Sequence, residues 1–282
     1  MKIALGTVQW GLKYGINNVN GIPSNHELKK IFSIARKNNI DLFDTAVQYG
    51  DAEKRIGKLS IPKDKVITKV GSFSEHNCLK NQLANSFKNL ERKSIYGCLF
   101  HNSKDLIENR QLWTNLKKYK KDGKINKIGY SLYEPSVLLE LLDANIVPDI
   151  VQIPYNILDR KFEPYFDLLK GYNVEIHIRS VFLQGLFFKS VDELDSKFED
   201  LISPFNELKE IQVKSKLQML SLALCFVIQN PSIDYIVLGV EKARQLEQII
   251  TASKQDLPKK IINQIKSIRL DSKAILNPVN WK

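Results

Sequence analysis

Long apolar runs are missing from this chain: no stretch approaches the roughly 20 residues that a membrane-spanning helix requires. The apolar part of the N-terminal MKIALGTVQW is too short for a secretory leader, and no typical cleavage site follows it. Cysteine is scarce. Cys78, Cys98 and Cys225 are widely spaced, odd in number and form no C-x-x-C pair, which argues against a disulfide framework and for a reducing, cytoplasmic setting. Cys98, in an apolar run, and Cys225, in an apolar helix pattern, read as small buried hydrophobes. No low-complexity tract, domain linker or metal-ligand cluster is visible. No Arg-rich stripe interleaved with aromatics appears either, although the formal net charge is +11. The lysines are dispersed over predicted helix faces (Lys29, Lys30, Lys37, Lys117, Lys118, Lys120, Lys121, Lys259, Lys260), the pattern of solvated surface. Neither nucleic acid nor a membrane is therefore an expected partner, while the positive field favours anionic small ligands such as phosphates.

What is present is an alternation of short β-branched runs with longer amphipathic segments. The predicted strands are Lys2–Thr7, Leu42–Thr45, Val66–Val70, Gly97–Phe100, Lys127–Ser131, Ile150–Ile153, Glu175–Arg179 and Tyr235–Leu238. Ser24-x-x-Glu27 has the form of a capping box that opens a helix through about Asn38. Further helices are predicted over Ala52–Leu59, Cys78–Leu90, Gln111–Lys121, Glu134–Asp143, Phe162–Lys170, Glu207–Gln229 and Ala243–Ser253. Strands joined by helix-length connections imply parallel β–α–β units. Eight such units with one composition throughout predict a closed (β/α)8 barrel spanning residues 1–282 as a single domain. The alternative, an open doubly wound sheet, expects a G-x-G-x-x-G turn that Gly6-Thr-Val-Gln-Trp-Gly11 does not supply. The longest irregular stretch, Phe182–Ser203, follows the seventh predicted strand and is expected over the active face. The tail Ile275–Lys282 is too short for a domain and is expected to pack on the barrel or fringe its pocket.

Four polar residues stand at or just beyond apolar runs: Asp44 and Tyr49 in DLFDTAVQYG, Lys69 in KVITKV and His101 in YGCLFHN. The C-terminal ends of barrel strands point into the catalytic mouth, so these side chains are expected to converge. A phenol is a poor acid at its ordinary pKa of about 10. An adjacent ammonium, Lys69, held by the Asp44 carboxylate, is expected to lower that pKa. Tyr49 then delivers a proton to a carbonyl becoming an alkoxide, with His101 orienting the oxygen. Carbonyl reduction also needs a hydride, which no side chain can supply. Taken singly, each residue has a plainer explanation: an Asp capping a helix, a surface Lys, a packed Tyr, a rim His. The joint placement at successive strand ends is what favours chemistry.

The segments LGTVQWG (5–11), DLFDTAVQYGDAEKRIG (41–57), VITKV (66–70), LFHN (99–102), KKDGKINKIGYSLY (120–133), VQIPYNILD (151–159) and RSVFLQGLF (179–187) resemble, in order, the aldo/keto reductase family. The resemblance runs through essentially the whole chain, and its D-T-A-x-x-Y-G-x-A-E-x-x-I-G stretch is highly specific. It implies a (β/α)8 barrel that binds an extended nicotinamide dinucleotide without a Rossmann domain. It also implies a catalytic tetrad of Asp44, Tyr49, Lys69 and His101. By the same resemblance, Ser131 and Gln152 hold the nicotinamide carboxamide and Asp44 lies near the nicotinamide ribose. Ser180, Leu183 and Gln184 run along the pyrophosphate.

Two departures stand out. Arg179 occupies a position that is commonly aromatic and stacks beneath the nicotinamide; a guanidinium can stack as well, but it brings a charge. After the eighth strand the chain reads Gly239-Val-Glu-Lys-Ala-Arg244, where relatives that prefer NADP present a small hydroxyl residue and cations. Gly239 and Lys242 are expected at the cofactor. NADP is the first expectation, and NAD the alternative, because Glu241 repels a phosphate. Trp10, Tyr14, Tyr155 and Phe182 are the expected substrate wall, and their aromatic and polar mix suits a small-molecule carbonyl such as a sugar or nucleotide-sugar derivative. Two other functions stay open: a cofactor-binding barrel acting as a non-catalytic redox sensor or partner subunit, and a barrel isomerase or lyase using Lys69 as a Schiff-base amine. Oligomeric state is not readable from the chain.

Overall fold

A computed structural model describes residues 2–270 and 273–281, so Lys282 of the tail lies outside the described residues. Eight parallel strands close into a barrel in sequence order: β1 (Ile3–Gly6), β2 (Leu42–Asp44), β3 (Lys65–Val70), β4 (Ile95–Phe100), β5 (Ile125–Ser131), β6 (Ile150–Pro154), β7 (Glu175–Arg179) and β8 (Tyr235–Gly239). β8 returns to β1 with Ile3 opposite Ile236 and Gly6 opposite Gly239. The strands read as nearly continuous apolar runs because both faces are covered. One face fills the barrel through Ala4, Leu42, Ile67, Leu99 and Ile150; the other, through Ile3, Leu5, Phe43 and Val66, meets the helices.

The helices dock by their apolar spacing. Asn25–Lys37 buries Leu28, Ile31, Phe32 and Ala35, one face of a 3.6-residue repeat. Three helices hand the chain to the next strand through a left-handed asparagine, Asn39, Asn145 or Asn173, the residue besides glycine that best tolerates that geometry. The predicted single helix Glu207–Gln229 is instead two, Ile202–Ser215 and Met219–Ile228, with Lys216 left-handed at φ 60° and a bend of 94°. The second piece is apolar on all sides and buries every residue from Ser221 to Val227, whereas the first exposes a polar face. The two segments therefore cannot continue one another against the same surface. No single helix among the described residues is long and apolar enough to cross a membrane. The stretch after β7 is not irregular but a chain of 3-10 turns, Leu183–Phe188, Val191–Glu193 and Ser196–Leu201, on which Trp281 of the tail packs edge-on against Phe198.

The barrel floor carries charge. Glu175 accepts from Lys127 Nζ at 2.5 Å and from Tyr96 Oη at 2.8 Å, and its other oxygen lies 3.2 Å from Nε2 of the fully buried His177. Burial pushes the Glu175 carboxyl up, but the bonds from His177, Lys127 and Tyr96 outweigh it and hold the pKa at about 2, against an ordinary 4.5. The unfolded chain therefore takes up this proton first. The stabilisation is fully present above pH 4.5 and is lost as pH falls toward 2. Glu175→Gln is expected to cost about 2 kcal/mol, a fall of about 5 °C in thermal midpoint, and to flatten the loss of stability in acid. Unchanged melting from pH 7 to 3 would refute this role.

Candidate active site

Asp44 ends β2, Lys69 is the penultimate residue of β3, His101 follows β4, and Tyr49 sits in the loop after β2. The structure brings them together around one carboxylate. Asp44 accepts from Lys69 Nζ at 2.5 Å on Oδ2 and from Gln152 Nε2 of β6 at 2.8 Å on Oδ1. Lys69 adds a bond to the Thr45 carbonyl at 3.2 Å. Asp44 and Lys69 are 3% and 1% exposed, and such a pair is tolerated only where further hydrogen bonds satisfy both ions. The Lys69 ammonium lies 5.2 Å from the centroid of the Tyr49 ring. The Tyr49 and His101 rings stand edge to face, 5.6 Å apart at 85°.

The electrostatics correct one expectation. Burial, then the Asp44 charge, pushes the Tyr49 phenol well above its ordinary value, and the opposing cation is Arg179. Lys69 does not produce the expected lowering, because its charge is committed to Asp44 beneath the ring. Tyr49 thus stays protonated, a hydrogen-bond donor and not a phenolate. Burial, reinforced by Lys69 and Arg179, lowers the His101 pKa to about 3, so its imidazole is neutral. Burial also lowers the Lys69 pKa, with Asp44 acting against it.

A close backbone approach fixes the Tyr49 loop. A Cβ on Gly11 would lie 1.8 Å from the Tyr49 carbonyl oxygen and 2.8 Å from the Ala52 nitrogen, so only glycine lets the first loop dock under the second. The two obstructing groups are themselves bonded, the Tyr49 carbonyl accepting from Ala52 N–H at 3.1 Å.

A cavity of about 690 Å³ opens above this cluster. Ser131, Gln152, Arg179, Ser180, Gln184 and Gly239 lie on its wall, as do Tyr14 and Phe182. Four expected residues do not. Trp10 is fully buried, donates Nε1–H to the Val240 carbonyl at 3.0 Å and packs on Phe32 and Phe43. Tyr155 is buried between Phe166 and Phe226, on the helix side of the barrel. The Leu183 side chain is buried beneath the loop, and only its neighbours reach the cavity. Lys242 is exposed and points off the wall.

Arg179 lies over Tyr133, its guanidinium carbon 4.1 Å from the ring centroid. Its N–H groups reach the Leu132 carbonyl at 3.2 Å and Ser180 Oγ at 3.3 Å, and no carboxylate pairs with it among the described residues. Ser180, Leu183, Gln184 and Gly185 all adopt positive φ (63°, 47°, 55° and 92°), and the Leu183 and Gly185 N–H groups close this winding on the Ser180 and Phe182 carbonyls at 3.0 Å and 2.8 Å. The loop after β1 fastens to it: Gln184 Nε2 donates to Tyr14 Oη at 2.8 Å, and Asn17 Nδ2 to the Gly185 carbonyl at 2.6 Å.

Several wall residues escape the sequence reading, among them Asn17, Gln48, Tyr133 and Gln245. Tyr133 alone had a signal, two residues beyond Ser131 in a strand-end segment. Glu27 was misread: Ser24 Oγ does cap Glu27 N–H at 3.2 Å, but the Glu27 carboxylate turns away and accepts from Ala243 N–H at 2.7 Å, at the start of the neighbouring helix.

The closed parallel barrel gathers a carboxylate, an ammonium, a phenol and an imidazole at its C-terminal rim, the face on which (β/α)8 barrels carry their sites. Residues 2–270 match the model of the aldo/keto reductase family, and the chain belongs to that family. An uncharacterized oxidoreductase of Bacillus subtilis (strain 168), YqkF, is 26% identical over 146 residues, 48% of this chain and 46% of that protein, so the match spans about half the length of this curated relative. An aldo-keto reductase from Bacillus halodurans, in its holo form, superposes with a TM-score of 0.76 at 20% identity, covering 96% of this chain and 93% of that one. A glycerol dehydrogenase from Gluconobacter oxydans superposes with a TM-score of 0.73 at 20% identity, covering 94% and 90%. At these identities the structural likeness speaks for the fold.

Gly11→Ala is expected to cost about 3 kcal/mol, since the clash is with backbone and no flexible side chain can yield. It should also displace Tyr49 and so remove most activity. An Ala variant with wild-type melting and turnover would show that the loop contact does not position Tyr49.

Proposed function

We propose that this chain is an oxidoreductase that reduces an aldehyde or ketone at the rim of its barrel, with a nicotinamide dinucleotide as cofactor and Tyr49 as general acid. The observation that carries the reading is the fully satisfied Lys69–Asp44–Gln152 group beneath a protonated Tyr49 and a neutral His101. The wall suits the cofactor. Ser131 and Gln152 offer polar groups beside Tyr49, Ser180 and Gln184 add others, and the buried Gln9 Oε1 has no hydrogen-bond partner. The volume falls in the range of ligand sites.

When bound, the nicotinamide supplies the hydride. The protein's own task is the proton. Tyr49 donates its phenolic hydrogen to the carbonyl oxygen as charge develops there, and the carbonyl becomes an alcohol; solvent then returns a proton to Tyr49. An alkoxide is more basic than even a raised phenolate, so the transfer runs toward substrate, and Arg179 eases it by lowering the phenol's pKa. His101, a neutral imidazole, donates to the same oxygen and orients it. Lys69 and Asp44 hold the floor on which the Tyr49 ring rests.

A non-catalytic cofactor sensor has no evident use for all four groups. A Schiff-base role for Lys69 meets the burial of Nζ and its bonds to Asp44 and Thr45. The polar lip of Tyr14, Asn17 and Gln48 beside the Arg179 cation suits a polyhydroxylated or anionic carbonyl compound such as a sugar derivative. One structural relative is, by its name, a glycerol dehydrogenase.

Tyr49→Phe is expected to lower kcat/KM by about 10²–10⁴-fold while leaving cofactor affinity, read by fluorescence titration, unchanged. Retained turnover would remove Tyr49 as the acid. The pH profile follows from the two shifts. His101 stays neutral until pH approaches about 3, and Tyr49 stays protonated beyond its ordinary 10. The rate of reduction should therefore show no limb between about pH 5 and 9 from either group. An acid limb centred near 6.5, abolished by His101→Gln, would contradict the neutral imidazole.

A further inference from the structure

We propose that the end of the cavity formed after β8 selects NAD(H) over NADP(H), with Glu241 as the residue that sets the choice. This rests on reading the cavity as a nicotinamide dinucleotide site. It runs against the first expectation for the family, NADP, and it comes from how the start of the helix Ala243–Ala252 is occupied.

Glu241 and Gln245 both lie on the cavity wall. Gln245 Oε1 accepts from the Glu241 N–H at 2.7 Å and the Lys242 N–H at 3.0 Å, and Gln245 Nε2 donates to Glu241 Oε2 at 3.2 Å. The next N–H, that of Ala243, goes to Glu27 Oε1 at 2.7 Å, which holds the Glu27 carboxyl below its ordinary pKa. A helix N-terminus is ordinarily a ready receptor for phosphate, because its leading N–H groups lack partners. Here the N–H groups of residues 241–243 are spent on side chains of the same protein, and two carboxylates, Glu27 and Glu241, stand among them. The cations that the sequence offers in compensation, Lys242 and Arg244, are exposed and absent from the wall.

With its nicotinamide beside Tyr49, the adenosine half of an extended dinucleotide would be held along the same wall, where Glu241 and Gln245 stand. A 2′-phosphate arriving there meets the Glu241 carboxylate, and the N–H groups of 241–243 are already engaged. A 2′-hydroxyl can instead donate to that carboxylate, the arrangement by which acidic residues favour NAD. Like charges placed together are a strong means of rejecting a wrong ligand.

The test is titration of the intact protein with NADH and NADPH, followed by fluorescence, with competition by adenosine 5′-diphosphate and adenosine 2′,5′-bisphosphate as probes that carry no nicotinamide. NADH should bind at least about tenfold more tightly than NADPH, and the 5′-diphosphate should compete better than the 2′,5′-bisphosphate. Glu241→Ser, and the size-preserving Glu241→Gln, should each tighten NADPH by about tenfold and change NADH little. Equal or tighter NADPH binding by the wild-type protein overturns the selection and leaves the oxidoreductase reading standing. Failure of folded wild-type protein to bind either dinucleotide overturns that reading, and the selection with it.

Discussion

The burial of one ion pair constrains everything else at the mouth of this barrel. Lys69 and Asp44 are withdrawn from water at the ends of adjacent strands, and Gln152 reaches across from β6 to use the remaining carboxylate oxygen. Loss of either ion would leave an uncompensated charge worth about 3–5 kcal/mol, so the pair cannot shift to suit a neighbour. The neighbours suit it instead. The Tyr49 ring rests over the ammonium, His101 meets Tyr49 edge-on, and Gly11 is confined to hydrogen because the Tyr49 loop has no other place to lie.

That rigidity also explains the sign of the proton chemistry. Considered as isolated neighbours, Lys69 ought to pull the phenol toward its anion. In the fold the ammonium is already neutralised by Asp44, and the uncompensated influence on Tyr49 is burial together with the carboxylate. The site therefore stores a proton on Tyr49 and keeps it off His101, the assignment that reduction of a carbonyl needs. Arg179, over the Tyr133 ring and without a carboxylate partner among the described residues, is a cation whose field lowers the phenol's pKa.

The barrel was legible because parallel strands covered on both faces are continuous apolar runs, and all eight predicted strands fall within about two residues of those found. The tetrad was legible for a related reason: a polar residue ending such a run has nowhere to go but the rim. What could not be read is what depends on tertiary direction. Trp10 and Tyr155 look like pocket aromatics in sequence, yet one lies under the first loop against Phe32 and Phe43 and the other faces Phe226. Glu27 fits a capping box for its own helix and caps a different one 216 residues away. The Glu207–Gln229 pattern carries no glycine or proline at its break, which arises where an amphipathic helix gives way to one buried on every side.

Charge is where local and global readings part. A net +11 favours anions approaching from a distance, and it says nothing about which end of the cavity receives them. Within the cavity the signs are divided: Arg179 lies among the catalytic groups, while Glu241, with Glu27 close behind it at the helix start, lies after β8. On the reading proposed above, a phosphate or carboxylate on the reacting molecule is favoured beside Tyr49, and the same group on the adenosine ribose is opposed. Because both charges are held by hydrogen bonds to the protein, Arg179 to Leu132 and Ser180 and Glu241 to Gln245, neither can turn aside cheaply to accept the wrong sign. The polarity of the cavity, more than the charge of the chain, then decides which ligands fit and in which direction they lie.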